Sequence, residues 1–67
     1  MKVKLKILDE TGHTELALAS EQAHQKVEES LSSGKWVFLD GMFREKVSRR
    51  DLESAGEIII SPRLLGG

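Results

Sequence analysis

Residues Lys2-Val3-Lys4-Leu5-Lys6-Ile7 alternate without a break between cation and aliphatic. Such a run sorts into two faces only as an extended strand, whose successive side chains point to opposite sides. Val3, Leu5 and Ile7 are therefore expected to face a core, and the three lysines to face water. The lysines would also discourage edge-to-edge pairing if this strand lay near a sheet edge. A strand with one apolar face needs a covering layer, and the chain has 67 residues in which to supply it. That length means one small domain, and such a chain buries only ~60% of the surface its unfolded form exposes. Little room remains beside the core for a deep catalytic cleft.

The rest of the pattern supplies the layer. Asp9-Glu10-Thr11-Gly12 is a turn cluster, and Thr14-Glu15-Leu16-Ala17-Leu18 alternates again. The two runs should pair as a hairpin with Leu16 and Leu18 turned inward. Ser20 reads as a helix N-cap, with Glu21 in the first turn. Ala23, Val27 and Leu31 recur at four-residue intervals along one helical stripe, while Lys26, Glu28 and Glu29 lie outside it. Gly34 is the expected C-terminal stop. Lys35-Trp36-Val37-Phe38-Leu39 is an apolar run of strand length, and Asp40-Gly41 after it is a tight-turn signal. Met42 to Val47 reads as a short return strand, and Ser48 as the cap of a brief turn through Leu52. Ala55-Gly56 is the bend before a last strand, Glu57 to Ser61. Pro62 ends pairing there, since it has no N–H to donate. The expectation is an α+β domain over residues 1–62, a mixed four- to five-stranded sheet with one main helix on one face. Residues 63–67 are expected to form a flexible tail.

Several function classes are disfavoured. The chain has 10 Lys+Arg against 11 Asp+Glu, without the basic excess usual in nucleic-acid binders. It has no cysteine, hence no disulfide framework and no thiolate nucleophile. That composition fits a reducing cytoplasm. No apolar stretch approaches the ~20 residues of a membrane helix, and Met1-Lys2-Val3-Lys4 lacks the apolar region of a signal peptide. His13 and His24 have no partner at metal-ligand spacing and read as surface histidines. Gly34-Lys35 lacks the upstream glycine and the hydroxyl of a phosphate loop. Arg44, Lys46, Arg49 and Arg50 form a basic cluster read first as a solvated face, then as a surface for an acidic partner, and last as one for RNA. No nucleophile–base arrangement or carboxylate pair stands out, so no catalytic site of its own is expected.

Three segments carry a resemblance. They are Val37-Phe38-Leu39-Asp40-Gly41, Leu52 through Ile60, and Ser61-Pro62-Arg63-Leu64-Leu65-Gly66-Gly67. Together with the element order they resemble the β-grasp, or ubiquitin-like, fold, and most of all the small sulfur carriers of thiamin and molybdopterin biosynthesis. Three departures bear on the pathway: Gly56-Glu57 stands where the family shows Gly-Asp-Glu, the tail has one proline where the molybdopterin carriers often show two, and Ser32-Ser33-Gly34-Lys35 is not typical. The ending Arg63-Leu64-Leu65-Gly66-Gly67 also looks like that of ubiquitin-type protein modifiers.

The resemblance implies that a partner adenylating enzyme of the ubiquitin-activating type uses ATP to activate the Gly67 carboxylate. The acyl adenylate is then converted to a thiocarboxylate or captured by a thiol or an amine. The chain itself would bind no cofactor. Gly66 and Gly67 lack side chains and can thread a narrow cleft, although a terminal Gly-Gly also arises at frayed ends and cloning scars. Arg63 would pair with an acidic partner group or stay solvated. Leu64 and Leu65 would pack either in the partner's access channel or back on the domain.

A one-helix fold cannot bury Trp36, Val37, Phe38 and Leu39 together. If Val37 and Leu39 point at the helix, Trp36 and Phe38 lie on the open face beside Ile59, as a docking patch for the partner. The opposite parity would place the two aromatics in the core. The favoured reading is the patch. The expected role is a cytoplasmic sulfur carrier that delivers to a sulfur-accepting synthase. Two rivals remain: a modifier joined through Gly67 to lysines of other proteins, and an interaction subunit of a larger enzyme complex.

Overall fold

A computed structural model describes residues 2–62. The expected tail, 63–67, lies outside the described residues. Strands β1 (Lys2–Asp9) and β2 (Gly12–Ala19) form an antiparallel hairpin around a two-residue turn, Glu10-Thr11. The Asp9 carboxylate stiffens that turn by accepting from the Thr11 amide at 2.8 Å and the Thr11 hydroxyl at 2.9 Å. Val3 and Leu5 are buried and Ile7 packs against the core. Leu18 lies opposite Val3 and Leu16 opposite Leu5, both half-buried. His13, expected in the turn, is the second residue of β2.

Helix α1 (Ser20–Ser32) follows β2 with no intervening loop. Ser20 is not its N-cap. Pairing of β2 with β1 runs through Ala19, so Ala19 takes the cap position without a side-chain bond, and Ser20 becomes the first helical residue. The Ser20 side chain is buried and its hydroxyl accepts from Arg49 at 3.4 Å. Ala23 and Val27 are fully buried, and Leu31 packs beside them. The helix stops as expected. Gly34 has φ +83°, and the amides of Gly34 and Lys35 bond back to Leu31 at 3.1 Å and Ser30 at 2.9 Å. Those two bonds are the Schellman pattern, which satisfies carbonyls the helix leaves open.

Strands β3 (Trp36–Leu39) and β4 (Met42–Arg44) form a second hairpin. Its turn has φ +51° at Asp40 and +83° at Gly41, and two positive values match the right-handed twist of the flanking strands. The return strand is shorter than expected, because Val47 leaves the ladder to enter the core. Ser48 caps α2 (Arg49–Ser54): its hydroxyl accepts from the Asp51 amide at 3.1 Å, and Asp51 accepts from the Ser48 amide at 2.9 Å. This reciprocal capping box turns Leu52 into the core. The last strand, β5 (Ile58–Ser61), pairs parallel with β1 and antiparallel with β3.

The result is a small α+β domain with one mixed five-stranded sheet in the order β2-β1-β5-β3-β4 and one main helix on one face. Val37, Leu39, Ile58 and Ile60 are buried with Val27 and Leu52 between the sheet and the helical side. β1 is an interior strand, so its lysines guard no edge; the edges are β2 and β4.

Candidate functional site

The parity of β3 decides which side chains remain available. Val37 and Leu39 are buried on the helical side, whereas Trp36 and Phe38 are half-exposed on the opposite face. Ile59 is paired directly opposite Phe38 and shares that face. Sequence reasoning missed Phe43, which is 50% exposed and lies opposite Phe38 from the other side. The signal was present: Asp40-Gly41 as a two-residue turn fixes Leu39 against Met42, and therefore Phe38 against Phe43.

The three rings form one cluster. Trp36 and Phe38 meet at 6.4 Å between centroids and 76° between planes, and Trp36 and Phe43 at 6.0 Å and 73°. Phe38 and Phe43 stand at 5.9 Å and 59°. Edge-to-face contacts of this kind hold the rings in fixed orientations. Together they line a shallow apolar hollow of about 290 Å³. Lys6 lies opposite Ile59 on the same face, so the lysine stripe of β1 borders the apolar patch. Lys4 is partly neutralised by Glu15 at 3.8 Å.

The position of the cluster matters as much as its composition. Ser61, the last residue of β5, is paired opposite Trp36. The chain therefore leaves the sheet through Pro62 beside the aromatic cluster. The expected contact residues Arg63, Leu64 and Leu65, and the terminal Gly66 and Gly67, lie outside the described residues.

The start of β5 is also fixed. The Asp40 carboxylate accepts from the amides of Gly56 and Glu57, each at 2.9 Å, and the Asp40 amide donates to the Glu57 carbonyl at 2.9 Å. Sequence reasoning treated Asp40-Gly41 and Gly56-Glu57 as separate signals, but the fold joins them. A side chain at Gly56 would place its Cβ 3.2 Å from the Asp40 carboxylate, which explains the small residue there. The β3–β4 hairpin, carrying all three aromatics, is thereby tied to the strand from which the tail departs.

A larger open cleft, about 760 Å³, lies on the helical side between α1 and the segment leading to α2. His24, Glu28, Arg44, Ser48 and Asp51 of its lining are engaged in hydrogen bonds or ion pairs. His24 is not a free surface histidine: its Nε2 is 3.0 Å from the Val47 carbonyl and 3.1 Å from Glu28. Position 24 lies at the margin of the buried stripe, so the ring bridges α1 to the segment that delivers Val47. Arg44 pairs with Asp51 at 3.3 Å and Arg49 reaches Ser20, so two members of the basic cluster have structural partners. Among the described residues no three His, Asp or Glu side chains stand together as a metal site, and no helix is long and apolar enough to cross a membrane.

Comparison with family models, curated proteins and solved structures returns no match to this chain.

Proposed function

We propose that this domain is a small sulfur carrier of β-grasp type, with its reactive group at the Gly67 carboxylate. The scaffold reading is supported by the parallel pairing of first and last strands at the centre of the sheet, with one helix across it. The functional reading is carried by one observation. The tail-bearing strand ends opposite Trp36, at the border of the only face of the sheet that presents a cluster of aromatic side chains among the described residues. A partner that grips the rings therefore receives the start of the tail at a fixed distance. Holding a reacting group in place in this way converts a chance encounter into a positioned one.

The chemistry belongs to the partner. A carboxylate is a poor acyl donor. An oxygen of the Gly67 carboxylate attacks the α-phosphorus of ATP in the adenylating enzyme and displaces pyrophosphate, giving an acyl adenylate. Hydrosulfide supplied by the partner then attacks the carbonyl and expels AMP, and loss of the S–H proton to water leaves a thiocarboxylate for a sulfur-accepting synthase. The domain contributes the unhindered terminus, the aromatic grip and the rigid base of the tail. The reading requires Gly67 to bear the free carboxylate in the working protein, whether encoded there or uncovered by cleavage.

Intact-mass spectrometry of protein isolated from its source tests the proposal. A species heavier by the difference between sulfur and oxygen is the expected result. Lysines of other proteins bearing the Leu-Leu-Gly-Gly remnant that trypsin leaves by cutting after Arg63 would establish a protein modifier instead. In ATP–pyrophosphate exchange with the cognate adenylating enzyme, deletion of Gly67 should abolish turnover while leaving the folded amide spectrum unchanged. Exchange that persists without Gly67 would overturn the assignment of the terminus.

A further inference from the structure

The two edges of the sheet are finished very differently. β4 has three residues, too few to template another strand. β2 has eight, paired without a bulge to β1 along its full length on one side, with no strand paired to its other side among the described residues. Exposed edges are normally blunted by proline, by lysine, by a bulge or by a covering segment. β2, Gly-His-Thr-Glu-Leu-Ala-Leu-Ala, contains no proline and no lysine.

Which β2 groups face outward follows from the turn. A two-residue turn is closed by a mutually bonded pair, here Asp9 and Gly12, and bonding alternates from there along an antiparallel ladder. The amides and carbonyls of Thr14, Leu16 and Leu18 thus serve β1. Those of His13, Glu15 and Ala17, and the amide of Ala19, point away from the sheet and are available to another strand, whereas the Ala19 carbonyl accepts the first bond of α1.

We propose that β2 is a self-association edge, on which a second copy of this chain pairs antiparallel about a two-fold axis at Ala17. That register is chosen by the side chains. Ala17 meets its own counterpart, Glu15 meets Ala19 of the other copy, and Leu16 meets Leu18, so the pairing uses the outward groups and makes about four backbone hydrogen bonds, two between the Ala17 residues and one from each Ala19 amide to a Glu15 carbonyl. The half-exposed Leu16 and Leu18 then cover each other from both sides. On the opposite face Glu15, which within one chain stands 3.8 Å from Lys4 and 3.7 Å from His13, swings past the short Ala19 side chain toward the Lys2 of the other copy, because Lys2 is the partner of Ala19 within each hairpin. The separation is two strand spacings, roughly 10 Å, which an extended Glu and an extended Lys bridge from either side. The two Glu15 residues stay about 14 Å apart along the strands, beyond strong repulsion. One edge therefore presents the matching apolar pairs and the matching opposite charges to a copy of itself, the property an isologous interface requires. The two five-stranded sheets become one continuous sheet, with both aromatic clusters left open at its far ends.

An interface of a single short strand pair falls below the roughly 1,200 Å² of a stable complex, so association is weak and depends on concentration. The test is sedimentation equilibrium of the 67-residue chain from about 0.05 to about 2 mM, the range in which such affinities are read. A monomer–dimer equilibrium is expected, with slowed hydrogen exchange at the Ala17 and Ala19 amides as concentration rises. Glu15→Lys should weaken association about tenfold by replacing two attractions with two repulsions. The double variant Lys2→Glu with Glu15→Lys should restore it. Ala17→Pro, which removes an outward N–H and no bond to β1, should abolish it, with a dispersed amide spectrum as the control for folding. A chain that stays monomeric at the top of the range overturns the proposal. So does a dimer indifferent to Glu15→Lys, or one that the charge exchange fails to rescue.

Discussion

Asp40 links turn geometry to the placement of the tail-bearing strand. Its carboxylate holds two amides at the start of β5 while its backbone sits at φ +51°. The two roles separate by substitution. Asp40→Asn keeps an oxygen acceptor and tolerates the left-handed conformation, and should cost less than about 1 kcal/mol. Asp40→Ala loses both bonds and strains the turn, and should cost about 2 kcal/mol by urea titration. Equal losses for the two variants would show that the carboxylate bonds carry no weight. Two other aspartates set the acid limit. The Thr11 hydroxyl, then its amide, hold Asp9 below its ordinary value of 3.8, and the amide and hydroxyl of Ser48, helped by Arg44, do the same for Asp51. A carboxylate whose folded pKa is depressed adds stability above its unfolded pKa and loses it as pH falls through the folded one. Stability should therefore fall as pH drops below about 4. Asp51→Asn, which cannot titrate, should show a smaller difference between urea midpoints at about pH 6 and about pH 3 than the parent chain.

At the scale of elements, legibility followed from how local each determinant is. The β1 alternation, the α1 stripe, the Gly34 stop and the Asp40-Gly41 turn were readable because each depends on a few neighbouring residues. Gly34→Ala should cost about 1 kcal/mol in thermal or urea unfolding, since an L side chain resists φ +83°. Ser20 was misread as a cap because a Ser-Glu start looks the same whether or not a preceding strand pairs up to the helix; only the Lys2–Ala19 pairing distinguishes the cases. His24 read as a surface residue because its partner, the Val47 carbonyl, is 23 positions away. The parity of β3 was an open choice in the sequence, since the run is apolar on both faces. It was settled by the buried Ile58 and Ile60 of β5 beside Leu39 and Val37. The aromatic patch was thus half-legible: Trp36, Phe38 and Ile59 came from parity, whereas Phe43 needed the register carried across the turn.

At the scale of the whole molecule, the sheet buries one face under the helical side and leaves an aromatic cluster on the other, and adjacent residues of β3 should report that division. Val37 is fully buried and Phe38 is half-exposed in the ring cluster. A domain of this length is expected to be stable by only about 3–10 kcal/mol. Val37→Asp buries an unpaired carboxylate, which costs several kcal/mol even after protonation and structural relaxation, roughly the whole of that stability. The amide spectrum of this variant should collapse. Phe38→Asp, one residue along, leaves its carboxylate in water and forfeits ring contacts and strand preference worth about 1–2 kcal/mol. It should remain folded, with a lowered urea midpoint. In ATP–pyrophosphate exchange, the proposed docking role of the rings predicts that Phe38→Asp raises the KM for this chain about tenfold or more with little change in kcat. A fall in kcat at unchanged KM would move the rings out of the docking role, and loss of the folded spectrum would place Phe38 in the core after all.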